Sequence, residues 1–130
     1  LPVQFIYIGE SIRPAFRALK QNGVVLDSFD GFMGTRKIEL PFLQRRLTLS
    51  LGPLLIAAKS GAALVPAFAV RQQDNRHRIA LHPEIAVPGE DEAPLRDSAT
   101  QYAHLLEDYV RKYPSHYGRI VYDRFRDPRR

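Results

Sequence analysis

The chain has 130 residues, of which 45% are hydrophobic and 10% aromatic, with no cysteine and a formal net charge of +5. That length allows one domain at most, with enough chain for a proper core. Disulfides, zinc–thiolate sites and thiol catalysis are excluded within these residues, no apolar stretch approaches the length of a membrane span, and no signal peptide is expected.

The charge is unevenly placed. Residues 111–130 carry seven basic groups against Asp123 and Asp127, which is the whole excess, because residues 1–110 hold twelve charges of each sign. A basic tail over about residues 114–130 suits an anionic surface such as phospholipid headgroups, or is a solvated terminus. The aromatic stacking platforms used on single strands are not evident, so nucleic acid is not expected as a partner.

The chain begins Leu1-Pro2-Val3, without a methionine, and moves almost at once into a strand-like run. That start is expected of a piece of a longer polypeptide. Val3–Ile8 reads as a short strand ending at Gly9. Ser11 is placed to cap a helix burying Ile12, Ala15, Phe16 and Leu19, which Asn22-Gly23 stops. Val24–Leu26 reads as a second apolar strand, followed by the loop Asp27-Ser28-Phe29-Asp30-Gly31. Lys37–Phe42 alternates weakly and suggests an extended segment, with Pro41 hinting at an edge or an end.

Ser50 is placed to cap a helix from Pro53 to Ser60, closed by Gly61 and apolar nearly all round, hence expected to be buried. Ala62–Val70 is a near-continuous apolar run, as in a strand covered on both faces. His77–His82 follows the Gln72–Asn75 turn as an antiparallel or edge strand, and Pro83–Pro94 reads as a surface loop. Ser98-x-x-Gln101 has the form of a capping box. Behind it Ala99, Tyr102, Ala103, Leu106, Tyr109, Val110 and Tyr113 recur at helical spacing until Pro114.

Alternating strands and helices predict an α/β chain with a mixed, mainly parallel sheet flanked by helices, as a single domain or fragment over residues 1–130. Ligands on such sheets bind beyond the carboxyl ends of the strands. The loop at Asp27 and the turn after Val70 leave those ends.

An apolar strand ending in Asp-x-Asp-Gly-Thr is the phosphatase signature of the haloacid dehalogenase superfamily. Here the spacing is Asp27-x-x-Asp30-Gly31, one residue longer, and residues i and i+3 of a strand face opposite sides. The plainer reading is that Asp27 braces the loop while Gly31 and Gly34 allow its turns. His77, His82 and His104 lack metal-ligand spacing, so no metal site is expected. There is no nucleophile elbow and no Walker-type phosphate loop. Arg45-Arg46 and Lys37 are placed to attract an anion or are simply solvated.

The order of segments carries more. "VVLDSFDG", then "IELPFLQRRLTLSLGPLLIAAKSGAALVPAFAVR", then a long helix, "YP" and "DRFRDP" is similar to the carboxyl-terminal half of bacterial lipid A biosynthesis acyltransferases, of the lysophospholipid acyltransferase superfamily. The matching positions are Pro41-Phe42, Thr48, Gly52, Ser60-Gly61-Ala62, Val65-Pro66, Arg71 and the closing Arg124-Phe125-Arg126 with Pro128.

The resemblance implies that the parent protein moves an acyl chain from acyl carrier protein or coenzyme A, with no bound cofactor, to a hydroxyl on a lipid or glycolipid. It implies substrate-binding roles for Asp27, Asp30, Gly31, Thr48 and Arg71, with the apolar 51–70 layer walling an acyl channel. Arg124, Arg126, Arg129 and Arg130 would dock to an anionic membrane or to the carrier protein. The implied setting is the cytoplasm or the cytoplasmic face of the bacterial inner membrane.

The family's His-x-x-x-x-Asp motif, whose histidine is the general base, lies in its amino-terminal half. No histidine here has an aspartate five residues on; His104 comes nearest, with Asp108 four away. No catalytic residue is therefore assigned within this chain. The missing amino-terminal half or a second copy is the expected partner. The alternatives are a non-catalytic acyltransferase-like interaction domain and the phosphatase.

Overall fold

A computed structural model describes residues 3–7, 11–29 and 34–117 of the chain. The elements in chain order are α1 (Arg13–Lys20), β1 (Lys37–Phe42), β2 (Arg45–Ser50), α2 (Gly52–Ser60), β3 (Ala67–Arg71), β4 (His77–Leu81) and α3 (Glu92–Lys112). Among the described residues the sheets are two antiparallel hairpins, β1–β2 and β3–β4. The expectation of a mainly parallel sheet is therefore corrected.

Two causes account for the difference. Val3–Tyr7 and Val24–Leu26, expected as parallel strands, lie in no strand, and Val24 and Leu26 are 92% and 91% exposed. Apolar composition alone does not make a strand, and among the described residues no ladder forms on these short segments. The segment after Phe42 also turns back on itself instead of running into a helix. Leu43 (φ 46°) and Gln44 (φ 62°) form the two-residue connection between Phe42 and its partner Arg45. Positive φ at both positions is the backbone that matches hairpin twist, and it normally selects Asn-Gly. Leu-Gln gives no such signal, so β2 was not legible in the sequence.

The hairpin forms because its inner face is apolar at every second residue. Ile38, Leu40 and Phe42 of β1 and Leu47 and Leu49 of β2 are buried, while Glu39 and Pro41 face outward. α2 follows with Pro53 in its first turn, and Gly61 closes it in the left-handed region (φ 68°). Ser50 Oγ accepts a hydrogen bond from the Gly52 N–H (3.3 Å), close to the expected cap. Only Leu54 and Ala57 of α2 are buried, so this helix is half-covered rather than enclosed. α1 packs on α2 and buries only Ala15; Ile12, expected in the core, is exposed.

β3 also alternates. Phe68 and Val70 point into the core and Ala67 and Ala69 point out, so the run is covered on one face, not two. Its register pairs Ala67 with Leu81 and Ala69 with Ile79. Ile79 and Leu81 are 67% and 72% exposed, leaving an uncovered apolar face on this hairpin.

α3 begins seven residues before the predicted start. Ser98 is not a cap but a buried residue within the helix, and its hydroxyl hydrogen-bonds to the Ala86 carbonyl (2.7 Å) and the Pro94 carbonyl (2.9 Å). A serine inside a helix mimics a cap in sequence because the same hydroxyl serves either purpose. The buried stripe Leu95, Ala99, Ala103, Leu106 and Val110 meets the inner faces of the hairpins. Among the described residues no helix is long and apolar enough to cross a membrane.

Two outcomes are expected. Amide hydrogen exchange should find Ala99, Thr100 and Gln101 protected as helix interior; rapid exchange there would restore Ser98 as the cap. Gln44→Gly should raise stability by about 1 kcal/mol in urea unfolding, because glycine occupies the left-handed region without steric cost.

Candidate functional site

The sequence-predicted site residues fall on three separate elements. Asp27 lies exposed in the loop after α1. Two residues on, Phe29 is buried against α3, its ring centroid 4.3 Å from that of Tyr102. The loop is thus pinned to the helix by Phe29, and the acid next to the anchor is held near the surface. The sequence signal for this anchor was an aromatic residue between two aspartates, which the carboxylates overshadowed. Asp30 and Gly31 lie outside the described residues, as do Arg124, Arg126, Arg129, Arg130 and most of the basic tail.

Thr48 is half-buried on β2, paired in register with Glu39 of β1. By strand alternation it shares the outer face with Arg46, away from the buried Leu47 and Leu49.

Arg71 ends β3. Its guanidinium donates from Nε (3.2 Å) and Nη2 (2.7 Å) to the side-chain oxygen of Asn75 in the following turn. Asn75 itself adopts the left-handed region (φ 67°), which asparagine tolerates well. The backbone N–H of Arg71 donates to Nε2 of His116 (3.0 Å), just beyond the Tyr113-Pro114 stop of α3. The amide of Asn75 is uncharged, so it orients the guanidinium without cancelling its charge. The strand end, the turn and the segment after α3 thereby converge on one arginine. His116 had no distinguishing spacing, so this contact was not legible in the sequence.

Behind Arg71 runs an aromatic and imidazole layer between β3–β4 and α3. Phe68 stacks on Tyr109 (centroids 4.1 Å apart, planes within 10°), and His82 Nε2 is hydrogen-bonded to the Tyr109 hydroxyl (2.9 Å). Arg78 donates to the Tyr113 hydroxyl (3.0 Å), tying β4 to the helix end. Tyr102, Tyr109 and Tyr113 serve this packing, as their helical spacing implied. His82 finds a phenol partner, and His77 and His104 are exposed. Among the described residues no three His, Asp or Glu side chains cluster as a metal site.

The apolar 51–70 layer divides. Leu51, Leu54, Ala57, Phe68 and Val70 are consumed by the core, whereas Ala67 and Ala69 join Ile79 and Leu81 on the uncovered face. Any apolar chain lying along β3 would meet that outer face.

Comparison with known proteins adds the family. The sequence profile described as bacterial lipid A biosynthesis acyltransferase matches residues 2–126. The chain belongs to this family, and membership carries a general acyltransferase function. No curated protein and no solved structure matches the chain.

The geometry separates anchor from acid. Phe29→Ala should cost about 3 kcal/mol or more in urea unfolding, by loss of a buried aromatic. Asp27→Asn, at an exposed position, should stay within about 0.5 kcal/mol.

Proposed function

Within the bacterial lipid A biosynthesis acyltransferase family, we propose that this chain is the substrate-holding half of an enzyme that moves an acyl group from a thioester donor to a lipid or glycolipid hydroxyl. The donor is acyl carrier protein or acyl coenzyme A. The observation that carries the reading is the family match over residues 2–126. Arg71, whose guanidinium is oriented by the uncharged amide of Asn75 and whose backbone is held by His116, supports it.

Acyl transfer to a hydroxyl requires a general base within hydrogen-bond reach of the attacking oxygen. It also requires donors aimed at the oxyanion of the tetrahedral intermediate. The base in this proposal is the histidine of an upstream His-x-x-x-x-Asp segment. The residues of this chain position the reactants. Arg71 pairs with a phosphate of the donor's arm or of the acceptor, since a planar guanidinium binds phosphate oxygens in a fork. Asp27 and Asp30 accept hydrogen bonds from acceptor hydroxyls beside the glycine turn at Gly31, and Thr48 adds a hydroxyl from β2. The acyl chain lies along the outer face of β3–β4. The basic tail, through Arg124, Arg126, Arg129 and Arg130, holds the enzyme at the anionic cytoplasmic face of the inner membrane by screened, salt-sensitive attraction.

The interaction-domain reading draws on one observation, that none of the four histidines is followed five residues on by aspartate. The two readings part in one experiment on the protein encoded by the full gene. Acyl transfer is expected, and replacing the histidine of an upstream His-x-x-x-x-Asp by alanine should abolish it. Full transfer by that variant, or a gene product without the motif and without transfer, would overturn the enzyme reading.

In the active protein Arg71→Ala should lower kcat/KM roughly ten- to hundredfold, the value of a hydrogen bond to a charged group. Arg71→Lys should recover little of it, because an ammonium cannot form the fork.

A further inference from the structure

Among the described residues one edge of the β3–β4 hairpin makes no hydrogen bonds, and the register of the hairpin shows which groups lie along it. Gln72 N–H donates to the Arg76 carbonyl (2.7 Å) and His82 N–H to the Pro66 carbonyl (2.9 Å), at the two ends of the ladder. In an antiparallel pair, facing residues alternate between pairs that exchange both bonds and pairs that aim theirs away. Between those ends, Val70 with Arg78 and Phe68 with Ala80 are therefore the bonded pairs. His77, Ile79 and Leu81 aim their N–H and C=O groups away from β3, at the far edge of β4.

The same alternation aims the backbone groups of Arg71 outward from β3, and there His116 Nε2 accepts the Arg71 N–H (3.0 Å). The β3 edge is thus capped at one end, whereas no described residue caps the β4 edge. Open edges are ordinarily blunted by proline, lysine or another charge. β1 carries Pro41, and Lys37, Glu39, Arg45 and Arg46 are spread over β1 and β2. β4 has neither proline nor lysine. Its arginine, Arg78, lies on the same face as the buried Val70 and donates to the Tyr113 hydroxyl (3.0 Å), so it does not guard the edge.

The strand His77-Arg78-Ile79-Ala80-Leu81 is also complementary to itself. Run antiparallel to a second copy about a two-fold axis at Ile79, it sets Ile79 against Ile79, Arg78 against Ala80 and His77 against Leu81. No like charges face each other, and the outward groups of His77, Ile79 and Leu81 all find partners. An axis at Arg78 would set two guanidiniums opposite each other. An axis at Ala80 would set His77 against Pro83, which has no N–H to give. One register is left.

We infer that the free edge of β4 pairs with β4 of a second copy of this chain, antiparallel and centred on Ile79, giving a four-stranded sheet across the two-fold axis. The apolar outer faces of the two hairpins stay open, so the pairing does not depend on the acyl-transfer reading. Edges this short bury less than the roughly 1,200 Å2 of a standard interface, so the dimer is weak and concentration-dependent.

Sedimentation equilibrium of the 130-residue chain should show monomer and dimer exchanging with concentration. From dilute to concentrated protein, amide hydrogen exchange should slow at Ile79 and Leu81 and stay the same at Arg78 and Ala80, which are already bonded to β3. Ile79→Lys and Ile79→Glu should each weaken the dimer about tenfold, through loss of the isoleucine pair and the facing of like charges. Mixing the two variants should restore it. Circular dichroism should be unchanged, since Ile79 is 67% exposed. Ala69→Lys, on the outer face but away from the β4 edge, should dimerise as the parent chain does. A chain that stays monomeric up to about 1 mM, the weak end of the affinity scale, would overturn the inference. So would a dimer that Ile79→Lys leaves intact, a mixture that stays monomeric, or a dimer lost in Ala69→Lys, which would mean packing through the faces. Protection of Ile79 and Leu81 in a monomeric product of the full gene would overturn it too, because the edge would then belong to another segment of that chain.

Discussion

The apolar stripe of α3 is the constraint on which the rest of the chain depends. A two-stranded hairpin is marginal in water because it has one face to bury and nothing of its own to bury it against. This chain has two of them. Both lay their inner faces on the core that contains Leu95, Ala99, Ala103, Leu106 and Val110. The two alanines keep the middle of the stripe low, which lets a sheet approach closely. The one polar residue on that face, Ser98, is matched by the carbonyls of Ala86 and Pro94, so the stripe carries no unpaired hydroxyl.

The same helix also organises the candidate site. Its middle receives Phe29 through Tyr102, which fixes the aspartate loop. Its carboxyl end receives β3 and β4 through Tyr109, Tyr113 and the following His116, which fixes Arg71. Under the proposed function, orientation of the guanidinium by a neutral amide leaves its charge for an anionic ligand. A carboxylate in the place of Asn75 would have oriented it equally well and largely cancelled that charge. The chemistry of the neighbour therefore matters more here than its distance.

A large share of apolar surface stays outside this arrangement. Val24 and Leu26 are almost wholly exposed, and Ile79 and Leu81 face outward beside Ala67 and Ala69. An uncovered face of this kind is ordinarily an interaction surface. Under the proposed function it is the face that the acyl chain and the rest of the enzyme would cover. The strand propensity of Val24–Leu26 is plain in its composition, but propensity becomes a strand only where another backbone supplies the ladder.

The sequence by itself determined the elements whose signals are local. The Lys37–Phe42 strand keeps its expected bounds, Gly61 ends α2 as expected, β4 is antiparallel, and the stripe from Tyr102 to Val110 is helical. The order of short motifs also carried the family, because sequence order survives where no single motif is specific.

Tertiary structure alone decided the rest. Period-2 alternation says that a strand has an inner face and not which strand lies beside it, so parallel and antiparallel pairing were indistinguishable until the Leu43-Gln44 turn was seen. Ser98 could cap or lie inside a helix, and only the carbonyl of Ala86 settles which. Arg71 reads as any arginine at a strand end; Asn75 is close in sequence, but His116 is 45 residues away and reaches it only because α3 folds back along the β3–β4 hairpin. Contacts between distant residues are set by packing of whole elements, and no local pattern encodes them.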